Sequence, residues 1–359
     1  MLIPYQRECV KYEMLMKILH VITGMQKAAG TTTFVKNVVD GLQSSGLDAM
    51  VVMSPDELER CDIMHIHGLW SGLLHKAARF AKKKSIPIVW STHGMTAPWA
   101  MHHKWWKKTP AWFLYQRSDL KSAALIHCTT EFEVEWNKAL GFKNCFIAPL
   151  GTQLPQLHPQ TPTHNSNSTL LFVGRIYPVK GLINLIKAWS IVNSQLITYN
   201  SQLSTGNWRL RIVGPDQAGH KAALEALVRE LALCGSVEFA GPKYGAELTA
   251  EYDNCDCLVL PSFTENFGAT IVDALAHGKT CIASTFTPWR ELQDYGCGWW
   301  VSNEPAKLAK AIQEMINASD ENRREMGFRG RKLVEEKYTW DAVVTTMVKG
   351  YEEVLNGRA

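Results

Sequence analysis

The chain has 359 residues, 46% of them hydrophobic and 20% charged, with a formal net charge of +4. That length suits two domains with cores of their own. The sequence has neither an apolar run of about 18 residues nor a signal-peptide pattern at either end, and so reads as a soluble cytoplasmic protein. Nine cysteines without paired spacing argue against a disulfide framework or a zinc site.

Residues 1–15 read as an extension outside the fold. From there, short aliphatic runs alternate with helix-length amphipathic ones. KILHVIT (17–23), AMVVM (49–53), DIMHIH (62–67), PIVWSTH (87–93), LIHCTT (125–130) and CFIAPLG (145–151) have the continuous apolar character of buried parallel strands. Helical patterns over 31–45, 70–84, 110–123 and 131–140 separate most of them, giving a doubly wound domain over 16–155. A stretch rich in Pro, Ser, Thr and Asn then breaks the periodicity, and an interdomain linker is expected over 156–169. A second alternation, TLLFVGR, WRLRIVG, SVEFAG, CDCLVLPS, KTCIAST and GWWV, predicts another Rossmann-like domain over 170–338. The last helical segment, 339–359, is expected to cross back to the first domain. Ligands in such sheets sit beyond the carboxyl ends of the strands, so a cleft faced by both domains is the expected site.

The charge is unevenly shared. Residues 1–155 carry 18 Lys and Arg against 12 Asp and Glu, and no acid lies between Asp62 and Asp119. Within that interval, APWAMHHKWWKKTPAWFLYQR (97–117) mixes large aromatics with cations. Its Trp99, His102, Lys104, Lys107 and Lys108 suit an acceptor-binding or anionic-membrane surface, in which aromatic rings enter the headgroup level and lysines meet lipid charge. A core helix with a solvated basic face is the plainer reading. No nucleic-acid-binding motif accompanies the patch.

The chemistry concentrates in FTENFGATIVDALAHG (263–278). Asn266 is placed to cap a helix that follows a strand, and Gly268 would let another group approach the first turn, whose free amides attract a phosphate. Glu265 stands just before that helix and Asp273 about two turns along it, too far apart in direction and height for one acid/base dyad. They suit two separated parts of one elongated ligand. In FVGRIYPVKGL (172–182), Arg175 and Lys180 could bring two cations to the same anion. A diphosphate leaving group, with a sugar and a ribose at its ends, fits such a set. His65-x-His67 suggests a metal, but its two rings are read as facing opposite sides of a strand with no further ligand near, so no metal and no cofactor are expected.

GRIYPVKGL, VEFAGPK, LPSFTENFGATIVDALAHG, STHG and TPWREL…GCGWWV together resemble the GT-B fold glycosyltransferases of family 4, from about Met16 onward. The resemblance implies an α/β fold of two Rossmann-like doubly wound domains facing a deep cleft. It also implies retaining, metal-independent transfer of a hexosyl group from a nucleotide-diphospho-sugar to a saccharide acceptor, often lipid-linked. The family's paired acidic motif reads here as Glu265-x7-Asp273. By that likeness Glu265 and His93 are catalytic and face the donor sugar, with Asn266 and Phe267 beside it. Arg175, Lys180, Gly30 and Gly268 hold the diphosphate, while Asp273, Gly241, Lys243 and Tyr244 meet the nucleoside. Departures are Ala29-Gly30 for a double glycine and Asp273 for a glutamate, one methylene shorter. A sugar-nucleotide epimerase and a non-catalytic nucleotide-binding scaffold are the alternatives.

Overall fold

The structure is a computed structural model that describes residues 16–24, 30–156, 168–199 and 208–357. The expected extension over 1–15, Ala29 and most of the expected linker lie outside the described residues. The chain forms two compact units, residues 1–148 with 343–359, and residues 149–342.

The first unit is built on a six-stranded sheet in the order β2-β1-β3-β4-β5-β6, with β1 Lys17–Val21, β2 Asp48–Val52, β3 Ile63–His67, β4 Ile88–Ser91, β5 Leu125–Cys128 and β6 Cys145–Ile147. Every neighbouring pair is parallel. β1, β3, β4 and β5 are almost wholly buried, which is why the sequence shows unbroken apolar runs there rather than alternation. Helices Gly30–Ser44, Gly72–Lys84 and Glu131–Ala139 connect them, two capped by Ser71 and Thr130, whose hydroxyls accept first-turn amides. The helix Trp340–Leu355 supplies Val343, Met347 and Tyr351 to this core from the far end of the chain. The helix packs tightly at Gly350, where a Cβ would collide with the Phe146 ring at 2.6 Å.

The second sheet runs β12-β11-β10-β7-β8-β9, again all parallel, with β7 Thr169–Val173, β8 Arg209–Val213, β9 Val237–Gly241, β10 Cys257–Leu260, β11 Thr280–Ser284 and β12 Gly298–Val301. Its core contains Phe172, Trp189 and Trp289, all essentially solvent-free. Each such ring withdraws on the order of 150–250 Å² from water.

Two local expectations change. Thr152, expected in the first domain, belongs to the second unit. Its N–H donates to the Tyr338 carbonyl at 2.8 Å, it forms a parallel bridge to Thr339, and the Trp340 ring occupies the space beside Gly151. The second unit therefore begins at Pro149, ahead of the expected boundary. The helix expected over 110–123 is instead a broken one, with Trp105–Ala111 running into a π-turn at Trp112–Gln116 before Arg117–Lys121. Pro110 lies inside the first piece, and the loss of its amide makes a register shift in the helical ladder the natural accommodation.

Candidate functional site

In the second unit, the loop after β10 and the turn after β7 are stitched together. Phe263 N–H donates to the Val179 carbonyl at 2.8 Å, and Gly181 has φ +71° with Pro261 packed where a side chain would start. Lys180 ends the short 3-10 turn Pro178–Lys180, and its stem passes Gly174, the Cε lying 3.9 Å from where a Cβ there would be. Its ammonium bonds directly to Glu265 Oε1, which also accepts from Ser262 Oγ at 2.7 Å. Both side chains are mostly shielded, 15% and 12% exposed, so the pair is held by hydrogen bonds on both partners rather than by charge in water. Arg175 is exposed, and its Nη1 donates to Gln217 Oε1 at 2.9 Å.

The residues after Glu265 are anchored by burial. Phe267 packs edge-on against Trp289 and Tyr338, and its carbonyl accepts from Trp289 Nε1. Its side chain is thus a core anchor, which leaves the main chain of this residue to meet a ligand. The helix Ala269–Ala276 is capped at Gly268 (φ +82°), not at Asn266. Leu260 and Trp289 fill the space a Cβ at Gly268 would need, at 3.0 and 3.1 Å. Glycine there serves the protein's own packing, not only the approach of a ligand. Glu265 accordingly lies in the loop and Asp273 at the fifth residue of the helix. Asp273 accepts from Thr152 Oγ1 at 2.7 Å, and burial pushes its carboxyl up despite that bond and the nearby His277.

At the neighbouring strand ends, Gly241 (φ +71°) accepts from Gly214 N–H at 2.9 Å, where the β8–β9 register slips. Lys243 pairs with Glu247 and Tyr244 is exposed. This set offers one flexible cation, one partly buried carboxylate with a cation already on it, uncapped first-turn amides and a second carboxylate farther along the helix. That combination suits an anionic group flanked by hydroxyl-bearing rings.

In the first unit, His93 follows β4 with φ +50°, and Gly94 continues in the left-handed region at φ +71°. His93 Nε2 lies 3.1 Å from His67 Nδ1, and burial with the nearby His127 pushes its imidazole down to about 3. Gly30 is the exposed first residue of its helix, with open space around it. Trp99, Trp105 and Trp106 are each more than half exposed, Phe113 is 74% and Leu114 80% exposed, and His102, Lys104 and Lys107 are exposed among them. Lys108 turns inward instead, onto the Ala100 carbonyl and over the Trp70 ring.

Sequence reasoning missed Ser262, Thr152, Glu133, His20 and His127. His65 and His67 are two residues apart on β3 and therefore share a face, with ring centroids 4.1 Å apart, so the reading that set them on opposite faces is corrected. His20, level with His65 on the adjacent strand, joins them. The period-2 rule applied across neighbouring strands could have found the trio.

Two all-parallel six-stranded sheets flanked by helices are the architecture of the GT-B class of glycosyltransferases. The fold is shared with the Anabaena protein HepE, solved with UDP and glucose, at a TM-score of 0.71 and 16% identity over 94% of this chain and 100% of that one. The family description "Glycosyl transferases group 1" matches residues 155–333 and "Glycosyl transferase 4-like domain" matches 39–149. The chain belongs to the group 1, or family 4, glycosyltransferases. Curated relatives include the lipopolysaccharide 1,2-N-acetylglucosaminetransferase of Salmonella typhimurium, 29% identical over 56% of this chain and 52% of that one. Another is the D-inositol 3-phosphate glycosyltransferase of Salinispora tropica, 27% identical over 51% and 38%. The matched stretch spans about half the length of these relatives or less. Among the described residues no helix is long and apolar enough to cross a membrane.

Proposed function

We propose that this glycosyltransferase is a retaining hexosyltransferase that uses a nucleotide-diphospho-sugar, uridine-linked in the first instance and guanosine-linked otherwise, without a metal. The observation that carries the reading is the Lys180–Glu265 pair in a loop stitched by Gly181 to the strand ends, with Arg175 on the adjoining turn. Support for uridine comes from HepE, solved with UDP and glucose.

In this reading Lys180, Arg175 and the amides after Gly268 stabilise the diphosphate as the glycosidic C–O bond breaks, and charge on the leaving group is the main catalytic lever. Glu265 and the main chain at Asn266 and Phe267 orient the sugar, and His93 faces it. Asp273, Gly241, Lys243 and Tyr244 serve the nucleoside. The acceptor hydroxyl attacks on the face the nucleotide leaves, and the departing phosphate oxygen takes its proton. Here Asp273 could accept a ribose hydroxyl in place of the Thr152 hydroxyl it now holds.

The acceptor is proposed to be a lipid-linked saccharide in surface polysaccharide assembly. Exposed Trp99, Trp105, Trp106, Phe113 and Leu114 among Lys104 and Lys107 support docking on an anionic membrane face. Flotation with anionic vesicles should show binding that salt weakens, and its absence refutes the docking. For the donor, a thermal-shift panel of nucleotides and nucleotide sugars without added metal should give one nucleobase-selective shift that Arg175→Ala/Lys180→Ala abolishes. No shift from folded protein would favour a non-catalytic scaffold, and product formation without any acceptor would favour an epimerase.

A further inference from the structure

The first unit gathers five imidazole rings around one stretch of sheet, four of them buried, His20 on β1, His65 and His67 on β3 and His127 on β5, and a half-buried fifth, His93, just past β4. Strand register brings them together, since His20 is level with His65, His67 with Ser91, and Ser91 with His127. Their hydrogen bonds form two strings. One runs Tyr351 Oη, His65, Ser91 Oγ, His127 and the Ala148 carbonyl, with spacings of 2.7, 2.6, 2.6 and 2.8 Å. The other runs His20, His67 and His93, with spacings of 2.9 and 3.1 Å.

Proton bookkeeping fixes the first string completely. A carbonyl only accepts, so His127 Nε2 donates to Ala148; Ser91 then donates to His127 Nδ1, His65 Nε2 to Ser91, and Tyr351 to His65 Nδ1. Both nitrogens of His65 are thereby committed. His20, His65 and His67 each bring a nitrogen within 4.8 Å of the others. A cation there would have to displace one hydrogen bond at His65 and another at His67, the bonds that hold the trio as a hydrogen-bonded array.

The second string has a dead end. His20 Nε2 is buried and has no partner among the described residues. A buried N–H without an acceptor is the rarer defect in proteins, so the bare nitrogen belongs at this end. Every proton then points outward: His20 Nδ1–H to His67 Nε2, His67 Nδ1–H to His93 Nε2, and a final N–H on His93 Nδ1. For that atom the described residues supply no partner.

An independent clamp holds the main chain of the same residue. Glu133, fully buried, accepts from Gly94 N–H and Thr92 Oγ1 with one oxygen, both at 2.6 Å, and from Thr129 N–H at 2.8 Å and Thr129 Oγ1 at 3.1 Å with the other. Four donors satisfy a carboxylate that would otherwise be costly to bury. A left-handed residue other than glycine, such as His93, costs about 1–2 kcal/mol, so the turn needs such a brace.

We propose that Glu133 and His67 are positioning residues for His93. Glu133 holds the left-handed turn, and His67, backed by His20, fixes the ring so that His93 presents Nδ1–H as a hydrogen-bond donor to a substrate oxygen. This rests on the reading that His93 meets the donor sugar, and two separate readouts test it. Imidazole ¹⁵N shifts of the full chain without ligand, with His93 assigned by the signal lost in His93→Asn, should show Nδ1 protonated and Nε2 bare; the reverse tautomer, or averaging between the two, overturns the proposed string. In kinetics, His67→Leu and Glu133→Gln should each lower kcat by 10- to 100-fold with the nucleotide thermal shift of the second unit intact. His67→Asn, whose amide can replace Nδ1–H, should recover most of the loss. Turnover lowered in His93→Ala but normal in both other variants overturns the positioning role. Normal turnover in His93→Ala itself overturns the parent reading, and the tautomer measurement then judges the network alone. Should His67→Leu fail to fold, Glu133→Gln and the wild-type spectrum still decide.

Discussion

Gly181 joins the lysine turn to the glutamate loop, and replacing it with alanine tests whether that junction sets the geometry of both. The residue has φ +71°, and a Cβ would fall within the van der Waals surface of the Pro261 carbonyl oxygen and 3.0 Å from its carbonyl carbon. The left-handed conformation alone costs an alanine about 1–2 kcal/mol. Non-bonded carbons settle at about 3.5–4.0 Å, so the turn and the loop must also separate by about 1 Å. Together these place the destabilisation at about 2–4 kcal/mol, within the range of overpacked and strained substitutions. That corresponds to a fall in Tm of roughly 5–15 °C for a domain of this size. A displacement of 1 Å between Lys180 and Glu265 should lower kcat by about 100-fold. Gly219 provides the control, because it shares the left-handed φ (+70°) but has open space where a Cβ would go. Gly219→Ala should therefore show the smaller thermal loss and normal turnover. Calorimetry and steady-state transfer on both variants give the answer. Gly181→Ala with wild-type Tm and wild-type kcat would refute the claim that this close approach sets the site.

Glu265→Gln should abolish transfer while nucleotide-induced stabilisation persists, and Lys180→Ala should weaken both; a fully active Glu265→Gln enzyme refutes the role given to the carboxylate. Asp273→Asn keeps the Thr152 contact and should raise the donor KM several-fold with little change in kcat, whereas an unchanged KM removes its ribose role. Acidification should loosen the first sheet. Burial, more than the neighbouring His127, holds His20 at about 3 in the folded chain, against about 6.5 when unfolded. The unfolded state therefore binds the proton first, and stability falls from about pH 6.5 downward, by about 2 kcal/mol at pH 5 from this residue. His65, His67 and Tyr351, which face it, are likewise held neutral, while Asp119 in the same unit shifts upward and acts in the opposite sense. Hydrogen exchange of β1 and β3 in wild type and His20→Asn isolates the contribution, and equal pH slopes in the two proteins would refute it.

All twelve strands were legible, most plainly β4, β7 and β10, because parallel strands buried on both faces are spelled as near-continuous apolar runs, a signal local to each segment. The Glu265 to Asp273 stretch was legible for a related reason, since strand, loop and helix follow one another directly in the chain. What stayed hidden depends on partners distant in sequence. Thr152 reads as part of the end of the first domain until Asp273, 121 residues away, is seen to accept its hydroxyl. Glu133 reads as an ordinary first-turn acid of a capped helix, yet it braces a turn 39 residues earlier. Asn266 has the composition of a cap, but the ring cluster of Phe267, Trp289 and Tyr338 pulls the chain inward before the helix begins and leaves the cap to Gly268.

The division of the chain also sets an order of events during synthesis. Residues 149–342 are continuous, so the second unit has every strand and helix it needs before the helix Trp340–Leu355 is completed. The first unit begins earlier but finishes later. Its sheet is complete once β6 has been translated, yet the face that receives Val343, Met347 and Tyr351 stays open, and the Tyr351 hydroxyl that completes the His65 string comes from a segment translated after the whole second unit. A nascent chain released short of this helix would carry a finished second unit beside a first unit with an exposed apolar face, the kind of species that chaperones retain and proteases remove.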